Sequence, residues 1–309
     1  MPRSDWPSDQ PLDLVLTLRS LVRGHGDRTI RLATGRAWWT TRTADGPATV
    51  VIQQRPDRVT AEAFGPGAER ALQRVPGLLG LAGPAAADGR AWGTEQAGAE
   101  HPLVGELRRR HPGIRIPRTE AVLDALLPAI LEQKVTGVEA RRAWQGLVRA
   151  YGEPAPGPAG LGLMVTPAPE TLARLPYYAY HPFGIEARRA DLLRRVAARP
   201  GWFEAITELP LAEAQRRLQS IPGIGPWTSA EVAVRALGDP DAVSVGDFHL
   251  PHLVGWALAH EPRATDARML ELLEPYRGER ALVVKLLESS GLQPPRYGAR
   301  LAPRAIEGI

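Results

Sequence analysis

The feature that most constrains the fold is a short turn of glycine and proline between two helix-like runs. It lies within residues 218–232, which read LQSIPGIGPWTSAEV. Apolar residues recur at helical spacing on both sides of the turn. Gly223 and Gly225 permit positive φ and the close approach of another backbone. Pro226 suits the first turn of the second helix, where an amide proton would be unpaired anyway. The stretch therefore predicts two helices joined by a tight hairpin.

The hairpin has the main-chain composition of an anion site. The amides of Gly223, Ile224 and Gly225, with those that open the helix at Trp227, can converge on one point. Convergent amides at a helix N-terminus bind anions, and phosphate is the natural ligand. The side chains here carry almost no charge, so such contacts would not read base sequence. The alternative is a connection between helices that only packs.

One acidic residue stands out downstream of the hairpin. Asp247 follows a glycine and precedes the helix-like run DFHLPHLVGWALAH. It is either an ordinary helix N-cap, for which Asp is a preferred residue, or a carboxylate placed for chemistry. Asp239 and Asp241 compete with it, but we expect both to be solvated in the interior of the preceding loop. Asp247 is therefore the candidate acid, with both interpretations of it still open.

Composition excludes several classes of site. The 309 residues contain no cysteine, so disulfides, thiol nucleophiles and thiolate metal sites are excluded. His249 and His252 are spaced as two metal ligands would be on a helix, but no third ligand is near, and we expect no metal there. The net charge of +4 makes nucleic acid a plausible partner.

The chain shows no membrane or export signal. No apolar run approaches the roughly 20 residues of a membrane span. The first residues, MPRSDWPSDQP, contain no apolar core of a secretory signal. We expect a cytoplasmic protein that does not bind membranes.

Periodicity divides the chain into a sheet-containing part and a helical part. Residues 12–81 favour α+β structure, with strands predicted at LDLVLTL, RTIRLATG, AWWTTRT, ATVVIQQ and RVTAEAF, followed by a helix. After an Ala/Gly-rich stretch at 83–100 the pattern is helical almost throughout, and EPAPGPAGLGLMVTPAP is predicted to be a surface loop. We predict a small antiparallel sheet domain at 1–88 and an all-helical core at 89–309, with two lobes and a cleft between them.

Together the motifs resemble a known superfamily. The Pro-Gly-Ile-Gly-Pro hairpin, followed at this interval by a Gly/Pro loop and Asp247, resembles the HhH-GPD superfamily of DNA glycosylases. The stretches RHPGIRIPRTEAVLDALLPAILEQKVTGVEARRAWQGLV and PAPETLARLPYYAYHPFGIEARRADLL are similar to the core helices of its AlkA-like branch, the 3-methyladenine DNA glycosylases II. LLEPYRGERALVVKLL resembles that branch's closing helix, so the likeness covers most of the chain.

The resemblance implies a site and a partner. It implies that Asp247 is catalytic and that Trp227 and Phe248 form the base pocket. The implied contacts to DNA are made by Gln133, Lys134, Gly223, Ile224, Gly225 and Thr228. It also implies a candidate site for a monovalent cation on the main-chain oxygens of Gln219, Ile221 and Ile224. We expect no cofactor, a monomer, and double-stranded DNA with damaged bases as the partner.

Trp227 separates branches within the superfamily. Members that also cut the strand by imine chemistry carry a lysine at this position, and tryptophan cannot form an imine. Lys134 is then the only lysine with a plausible route to the lesion. The absence of cysteine excludes the iron–sulfur branch. The implied reaction is hydrolytic removal of an alkylated purine in base excision repair, without strand cleavage.

Three positions depart from the family pattern. Lys134 stands where the family inserts a residue into the DNA stack, Glu231 stands where the best-known members carry an aromatic residue, and no aromatic residue matches near Lys285. We therefore expect a more polar base pocket than usual. Two alternatives stay open: a glycosylase for deaminated or oxidised bases, and a non-catalytic DNA-binding or regulatory protein.

Overall fold

The structure, a computed structural model, describes residues 1–7, 10–82, 100–158 and 160–295. A small antiparallel sheet near the N-terminus is followed by a helical body, which confirms the predicted class of α+β with helices predominating. The predicted boundary at 88/89, in the Ala/Gly-rich stretch, lies outside the described residues and stays a prediction.

The sheet has five strands, and every neighbouring pair is antiparallel. Four of the strands were predicted from alternation. The fifth, at the edge beside β5, is formed by RSDWP near the N-terminus, which we had not recognised as a strand. The spatial order is β1-β5-β4-β3-β2, and the strands are β1 Arg3–Pro7, β2 Ile30–Ala33, β3 Arg36–Thr43, β4 Gly46–Gln54 and β5 Arg58–Phe64.

The prediction that LDLVLTL is a strand was wrong. Leu14–Leu18 forms a short helix, α1, and Asp13 caps it by accepting a hydrogen bond from the Leu16 amide at 2.8 Å. Leu14 and Leu18 are both buried, as residues four apart on one helix face can be. A run of alternating leucines fits both the strand period and the helix period, and the Asp13 cap favours the helix.

The helical part follows the predicted order. Additional short helices occur at PETLAR and PGWFE, which the periodicity had not indicated. Within the described ranges, no helix is long and apolar enough to cross a bilayer. The helices after α1 are α2 Ala68–Gln73, α3 Val75–Leu78, α4 Pro102–Arg110, α5 Val122–Leu131, α6 Gly137–Tyr151, α7 Pro169–Arg174, α8 Ala187–Ala197, α9 Pro200–Glu204, α10 Leu211–Gln219, α11 Pro226–Val232, α12 Leu250–Ala259, α13 Asp266–Leu273 and α14 Arg280–Ser289.

The Pro/Gly-rich linker is more than a surface loop. Glu153–Pro154 pairs with Met164–Val165 as a two-stranded ribbon, β6 and β7. Val165 is fully buried, and the Met164 main chain both donates to Arg28 and accepts from Thr40. The ribbon therefore joins the sheet to the helical body, which a loop assignment from Pro and Gly content does not reveal.

Buried apolar residues form three clusters. One lies between the sheet and α1–α3. A second joins α5, α6 and α8–α11. The third joins α4, α12, α13 and α14. The hairpin belongs to the second cluster, and the helix that follows Asp247 belongs to the third.

A buried carboxylate connects the sheet to α5. Asp124, in the first turn of α5, accepts hydrogen bonds from Thr41 of β3 at 2.8 Å and from Thr166 at 2.9 Å. Burial raises the pKa of Asp124, and the two hydroxyl donors oppose that rise. Such a group is costly to leave unpaired, so these hydrogen bonds fix the sheet against the helix that leads to Gln133.

Glu204 fixes the other side of the same helix end. Its carboxylate accepts from the amides of Val122 and Leu123 at 3.4 and 3.2 Å and so caps α5 from α9. Burial raises the pKa of Glu204 from 4.5 to about 7, and the nearby Asp124 charge adds to the rise. Because the folded state keeps this proton at pH values where the unfolded chain has lost it, stability rises as pH falls from about 7 toward 4.5.

We predict that Glu204→Gln stabilises the fold at pH 8, by about 1–3 kcal/mol. The variant keeps one oxygen that can accept from an α5 amide, as the protonated carboxyl does, and it removes a buried charge. At pH 5 the wild-type side chain is itself neutral, so the advantage should largely disappear. Urea unfolding of both proteins at the two pH values measures the difference. An advantage that is equal at pH 5 and pH 8 would show that the buried charge is not its source.

Candidate active site

The hairpin between α10 and α11 has one glycine that the conformation requires and one that it does not. Gly223 has φ of +102°, and a Cβ there would lie 3.0 Å from Leu192 Cδ2. Gly225 has an extended backbone with φ of −96°, and a Cβ would meet no atom within 4 Å. Glycine at 225 is therefore not needed for folding, and it leaves the surface open to another molecule.

Some amides of the hairpin donate hydrogen bonds within the protein, and others do not. The Ile224 amide donates to the Ile221 carbonyl at 2.9 Å, so the expectation that it joins the anion site was wrong. Within the described part of the chain, no acceptor is bound by the amides of Gly223, Gly225, Trp227 and Thr228. These four remain as donors for a phosphate.

Two of the predicted DNA-contact residues have buried side chains. Ile224 is 4% exposed and packs into the second apolar cluster, while Thr228 is 2% exposed. Only main-chain atoms of these two residues can reach a ligand. Gln219 donates to the Ser229 hydroxyl at 2.8 Å, and that hydroxyl donates to the Pro226 carbonyl at 3.0 Å, which ties the two sides of the hairpin together.

The carbonyls predicted to bind a cation are compatible with that role. The Gln219 and Ile224 carbonyls accept no hydrogen bond from any described residue, and the Ile221 carbonyl accepts one. A carbonyl oxygen has two lone pairs, so all three retain capacity for a metal ion. The cation stays a prediction, and no later step depends on it.

The Gln133–Lys134 pair is attached to the hairpin. The Gln133 side-chain amide donates to the Gly223 carbonyl at 2.9 Å and to the Thr228 hydroxyl at 3.0 Å. Lys134 is exposed and has φ of +56°, which is uncommon for a residue with a side chain. The structure thus brings together two segments about ninety residues apart in sequence, as the resemblance implied.

Asp247 contacts Trp227 directly. Its Oδ2 accepts a hydrogen bond from the Trp227 indole Nε1 at 3.0 Å. Its Oδ1 accepts from the amides of His249 and Leu250 at 2.7 and 2.8 Å, at the start of α12. The carboxylate therefore caps the start of α12 from two residues before the N-cap, which is His249, and it also lies against Trp227. The chemical role of Asp247 stays a prediction.

The competing acids have structural partners. Asp239 is buried and accepts from the Gln215 side chain at 2.8 Å. Asp241 accepts from the Gly278 amide at 2.7 Å and pairs with Arg280. The expected reason for rejecting them, solvation in a loop, was wrong for Asp239. Neither residue lines the cavity beside Asp247.

The aromatic residue after Asp247 lies on the surface. Phe248 is 72% exposed, and its ring packs edge-on against His249 with centroids 4.9 Å apart. Neither Phe248 nor Trp227 lines the cavity beside Asp247, so the structure does not enclose a base between them. Their contact with a base stays a prediction. Among the described residues, no group of three His, Asp or Glu side chains could hold a metal.

A cavity of about 150 Å³ opens beside Asp247. Besides apolar side chains and His249, it is lined by five carboxylate, arginine or lysine side chains: Glu231, Arg235, Asp247, Lys285 and Glu288. Sequence reasoning marked Glu231 and Lys285 as departures from the family pattern but missed Arg235 and Glu288. Each of these two lies one helical turn from a marked residue, and that spacing was the available signal.

Most of the charged groups in the cavity are held by other parts of the protein. Glu231 accepts from the Ser244 hydroxyl at 2.6 Å and from Arg235 at 2.5 Å. Lys285 is buried and donates to the main-chain oxygens of Thr17 at 2.6 Å and Arg115 at 2.9 Å. Burial lowers the pKa of Lys285 to about 7. The cavity thus combines an apolar lining with charged groups that are largely paired. The expected polar base pocket stays a prediction.

The sequence is similar to those of known DNA repair proteins over part of its length. No family model matches the chain. A stretch of 140 residues, 45% of the chain, is 34% identical to 28% of the probable bifunctional transcriptional activator/DNA repair enzyme AlkA of Mycobacterium tuberculosis. Another match, over 147 residues and 47% of the chain, is 27% identical to 51% of DNA-3-methyladenine glycosylase 2 of Escherichia coli. The chain thus spans about half, or less, of the length of these curated relatives.

Solved structures share the fold over nearly the whole chain. The 3-methyladenine DNA-glycosylase from Archaeoglobus fulgidus superposes with a TM-score of 0.75 at 19% identity, over 94% of this chain and 98% of that one. An 8-oxoguanine glycosylase/lyase of Clostridium acetobutylicum, in complex with DNA, gives a TM-score of 0.65 at 14% identity, over 92% and 96% of the two chains. At these identities the likeness establishes the fold alone.

The fold and the order of its motifs define the class. The chain has the HhH-GPD fold, in which a helix–hairpin–helix unit is followed by a Gly/Pro loop and an aspartate. About half of the chain is similar in sequence to proteins named AlkA or DNA-3-methyladenine glycosylase 2.

We predict that Gly225→Glu weakens binding to all DNA sequences alike, because a carboxylate would face the phosphate that the unused amides receive. The side chain fits without steric conflict, so the variant should fold normally. Fluorescence anisotropy with several unrelated duplexes measures the affinity, and Gly225→Gln is the uncharged control of matched size. Equal affinities of the Glu variant, the Gln variant and the wild type would show that the hairpin does not contact the backbone.

Proposed function

We propose that this chain is a DNA glycosylase that excises alkylated purines, of the 3-methyladenine type, in base excision repair. The observation that carries the proposal is the hydrogen bond between Asp247 and Trp227, which places a carboxylate beside both the hairpin and a cavity. The named activity of the similar proteins supports the same reading. The expectations of a monomer and of a cytoplasmic location stay predictions.

The hairpin and the Gln133–Lys134 pair have the geometry to hold DNA. A base inside a duplex cannot be reached, so the nucleotide must be rotated out at a cost of about a few kcal/mol. The unused amides of Gly223 and Gly225 would bind a phosphate next to the lesion. Lys134, exposed on the same surface, would enter or border the gap in the stack. Gln133 fixes the distance between these two contacts.

Asp247 would act on the sugar. As the glycosidic bond breaks, positive charge develops on the sugar ring, and a carboxylate already in place stabilises it without reorganisation. Three N–H donors fix both oxygens of Asp247 before DNA arrives. The indole uses its edge to reach Asp247, which leaves its faces for the cationic base, where cation–π attraction is worth about 0.5–2 kcal/mol.

Water would be the nucleophile. The hairpin offers Trp227 where an imine-forming lysine would stand. Lys134 was expected to be the only lysine with a plausible route to the lesion, and this stays a prediction, but Lys285 also lines the cavity beside Asp247. However, the Lys285 ammonium is held by two main-chain oxygens at the edge of the sheet domain. We propose that it supports the cavity wall and that the strand stays intact.

A second candidate function follows from the polarity of the cavity. Oxidised and deaminated bases are neutral and are recognised by hydrogen bonds, which charged cavity walls can provide. The position of Asp247 on the cavity argues against a non-catalytic DNA-binding role, since phosphate contact alone requires no acid there. Release assays on methylated, deaminated and oxidised DNA distinguish these functions.

We predict that Asp247→Asn retains most DNA affinity but loses at least about 100-fold in single-turnover excision. Asparagine keeps an oxygen that can accept from the α12 amides, so the helix cap should survive. Trp227→Phe is the control: it removes the indole donor but leaves the carboxylate, and it should lose less activity. Near-normal excision by folded Asp247→Asn would contradict the catalytic assignment.

We predict that borohydride traps no covalent adduct between the protein and lesion-bearing DNA, and that strand breaks appear only after alkali. A gel with and without alkali measures the breaks, with a strand-cleaving glycosylase as positive control. An adduct would show that an amine of the protein attacks the sugar. Lys134→Ala and Lys285→Met would then identify which lysine forms it.

A further inference from the structure

One charged group in the cavity has no partner. Asp247 and Glu231 each accept hydrogen bonds on both oxygens, and Lys285 donates to two carbonyls. Arg235 donates to Glu231 and to the Ser20 carbonyl. In the described residues, Glu288 alone among these five makes no hydrogen bond and no ion pair within 4 Å. Glu288 is exposed and lines the cavity, so its carboxylate can receive a ligand.

The cavity has room for the edge of a base. About 150 Å³ accommodates a ring the size of benzene. Asp247, beside which the sugar would stand, lines the cavity, and so does Glu288 of α14. If the sugar lies at Asp247, one edge of the base would therefore face Glu288.

An ionised carboxylate accepts two hydrogen bonds and donates none. Guanine presents two adjacent donors on its pairing edge, N1–H and the N2 amino group. Adenine presents one donor, the N6 amino group, beside the acceptor N1. A carboxylate can bind both guanine donors at once, whereas against adenine one of its oxygens would face another acceptor. A site built for such hydrogen bonds rejects the mismatched analogue strongly.

We propose that Glu288 reads the pairing edge of the extruded base and makes this chain select alkylated guanines over alkylated adenines. The inference rests on the proposed glycosylase function and specifies its substrate. The other charges in the cavity are consistent with a cationic base, because the lining carries three carboxylates against one arginine and one lysine.

The selection should depend on pH. The groups that face Glu288 are Glu231 and Arg235 from α11 and its continuation, Asp247 and His249 from the loop before α12, and Lys285 from its own helix. The enclosing walls and the two carboxylates raise the pKa of Glu288, while Arg235 and Lys285 oppose the rise. Once protonated, Glu288 has one donor and one acceptor, which matches adenine. Preference for guanine should therefore fall as pH is lowered.

Methylated duplex DNA, which contains both 7-methylguanine and 3-methyladenine, tests the proposal. Single-turnover release of each base is measured by chromatography at pH 8 and corrected for spontaneous loss. Glu288→Gln carries a donor and an acceptor at every pH. We expect its ratio of 7-methylguanine to 3-methyladenine release to be at least about tenfold below that of the wild type. Ser289→Ala, on the same helix but outside the cavity lining, should leave the ratio unchanged.

The pH profile separates Glu288 from its neighbours. Lowering the pH stepwise from 8 should reduce the wild-type ratio toward that of Glu288→Gln and leave the variant's ratio unchanged. A second measurement needs no variant: quenching of tryptophan fluorescence by the free bases at pH 8 should show tighter binding of 7-methylguanine than of 3-methyladenine.

Failure of the inference is distinguishable from failure of the proposed function. If the wild type and Glu288→Gln both release bases in the same ratio, or if the wild type binds both free bases equally, Glu288 does not read the base. If the wild type binds DNA but releases no base, the proposed function is overturned and the inference with it.

Discussion

The hydrogen bond from the Trp227 indole to the Asp247 carboxylate is the interaction on which the site depends. Trp227 begins the helix after the hairpin, and its neighbours pack into the second apolar cluster. Asp247 opens α12, which packs into the third. The bond therefore joins the part of the molecule suited to hold a phosphate to the part that carries the acid. A shift of either cluster would change the distance between the hairpin amides and the Asp247 carboxylate.

The N-terminal part of the chain contributes to the same site through its main chain. Lys285 and Arg235 place charge beside a cavity and would be costly without partners. Lys285 donates to the carbonyl of Thr17 in α1, and Arg235 donates to the carbonyl of Ser20 just after α1; Arg115 and Glu231 provide further acceptors. The N-terminal part of the chain thus supplies hydrogen-bond acceptors that offset the desolvation of the charged side chains beside the cavity. Loss of this packing would leave the donors of Lys285 and Arg235 unsatisfied and would disturb the cavity that Asp247 lines.

Sequence reasoning recovered what is encoded locally and missed what depends on distant segments. The hairpin and most helices followed from period and from glycine and proline positions. The strand assigned around Leu14 was wrong because leucines two and four apart fit both periods, and Asp13 decided the outcome. The used amide of Ile224 depends on the detailed turn. Glu288 could not be recognised, because its lack of a partner exists only once four other segments surround it.

Lys134 shows how the site limits the entropy that binding must overcome. Its left-handed backbone is held between two fixed neighbours: Gln133 is bonded to the hairpin, and Thr136 forms a capping box with Glu139 at the start of α6. A loop already confined in this way loses little conformational freedom when it enters DNA. The main free-energy cost of binding would then be that of unstacking and unpairing the base, which is lowest for weakly stacked or weakly paired bases. In the proposed function, this rigid surface would make the local instability of the duplex the feature that marks a damaged base.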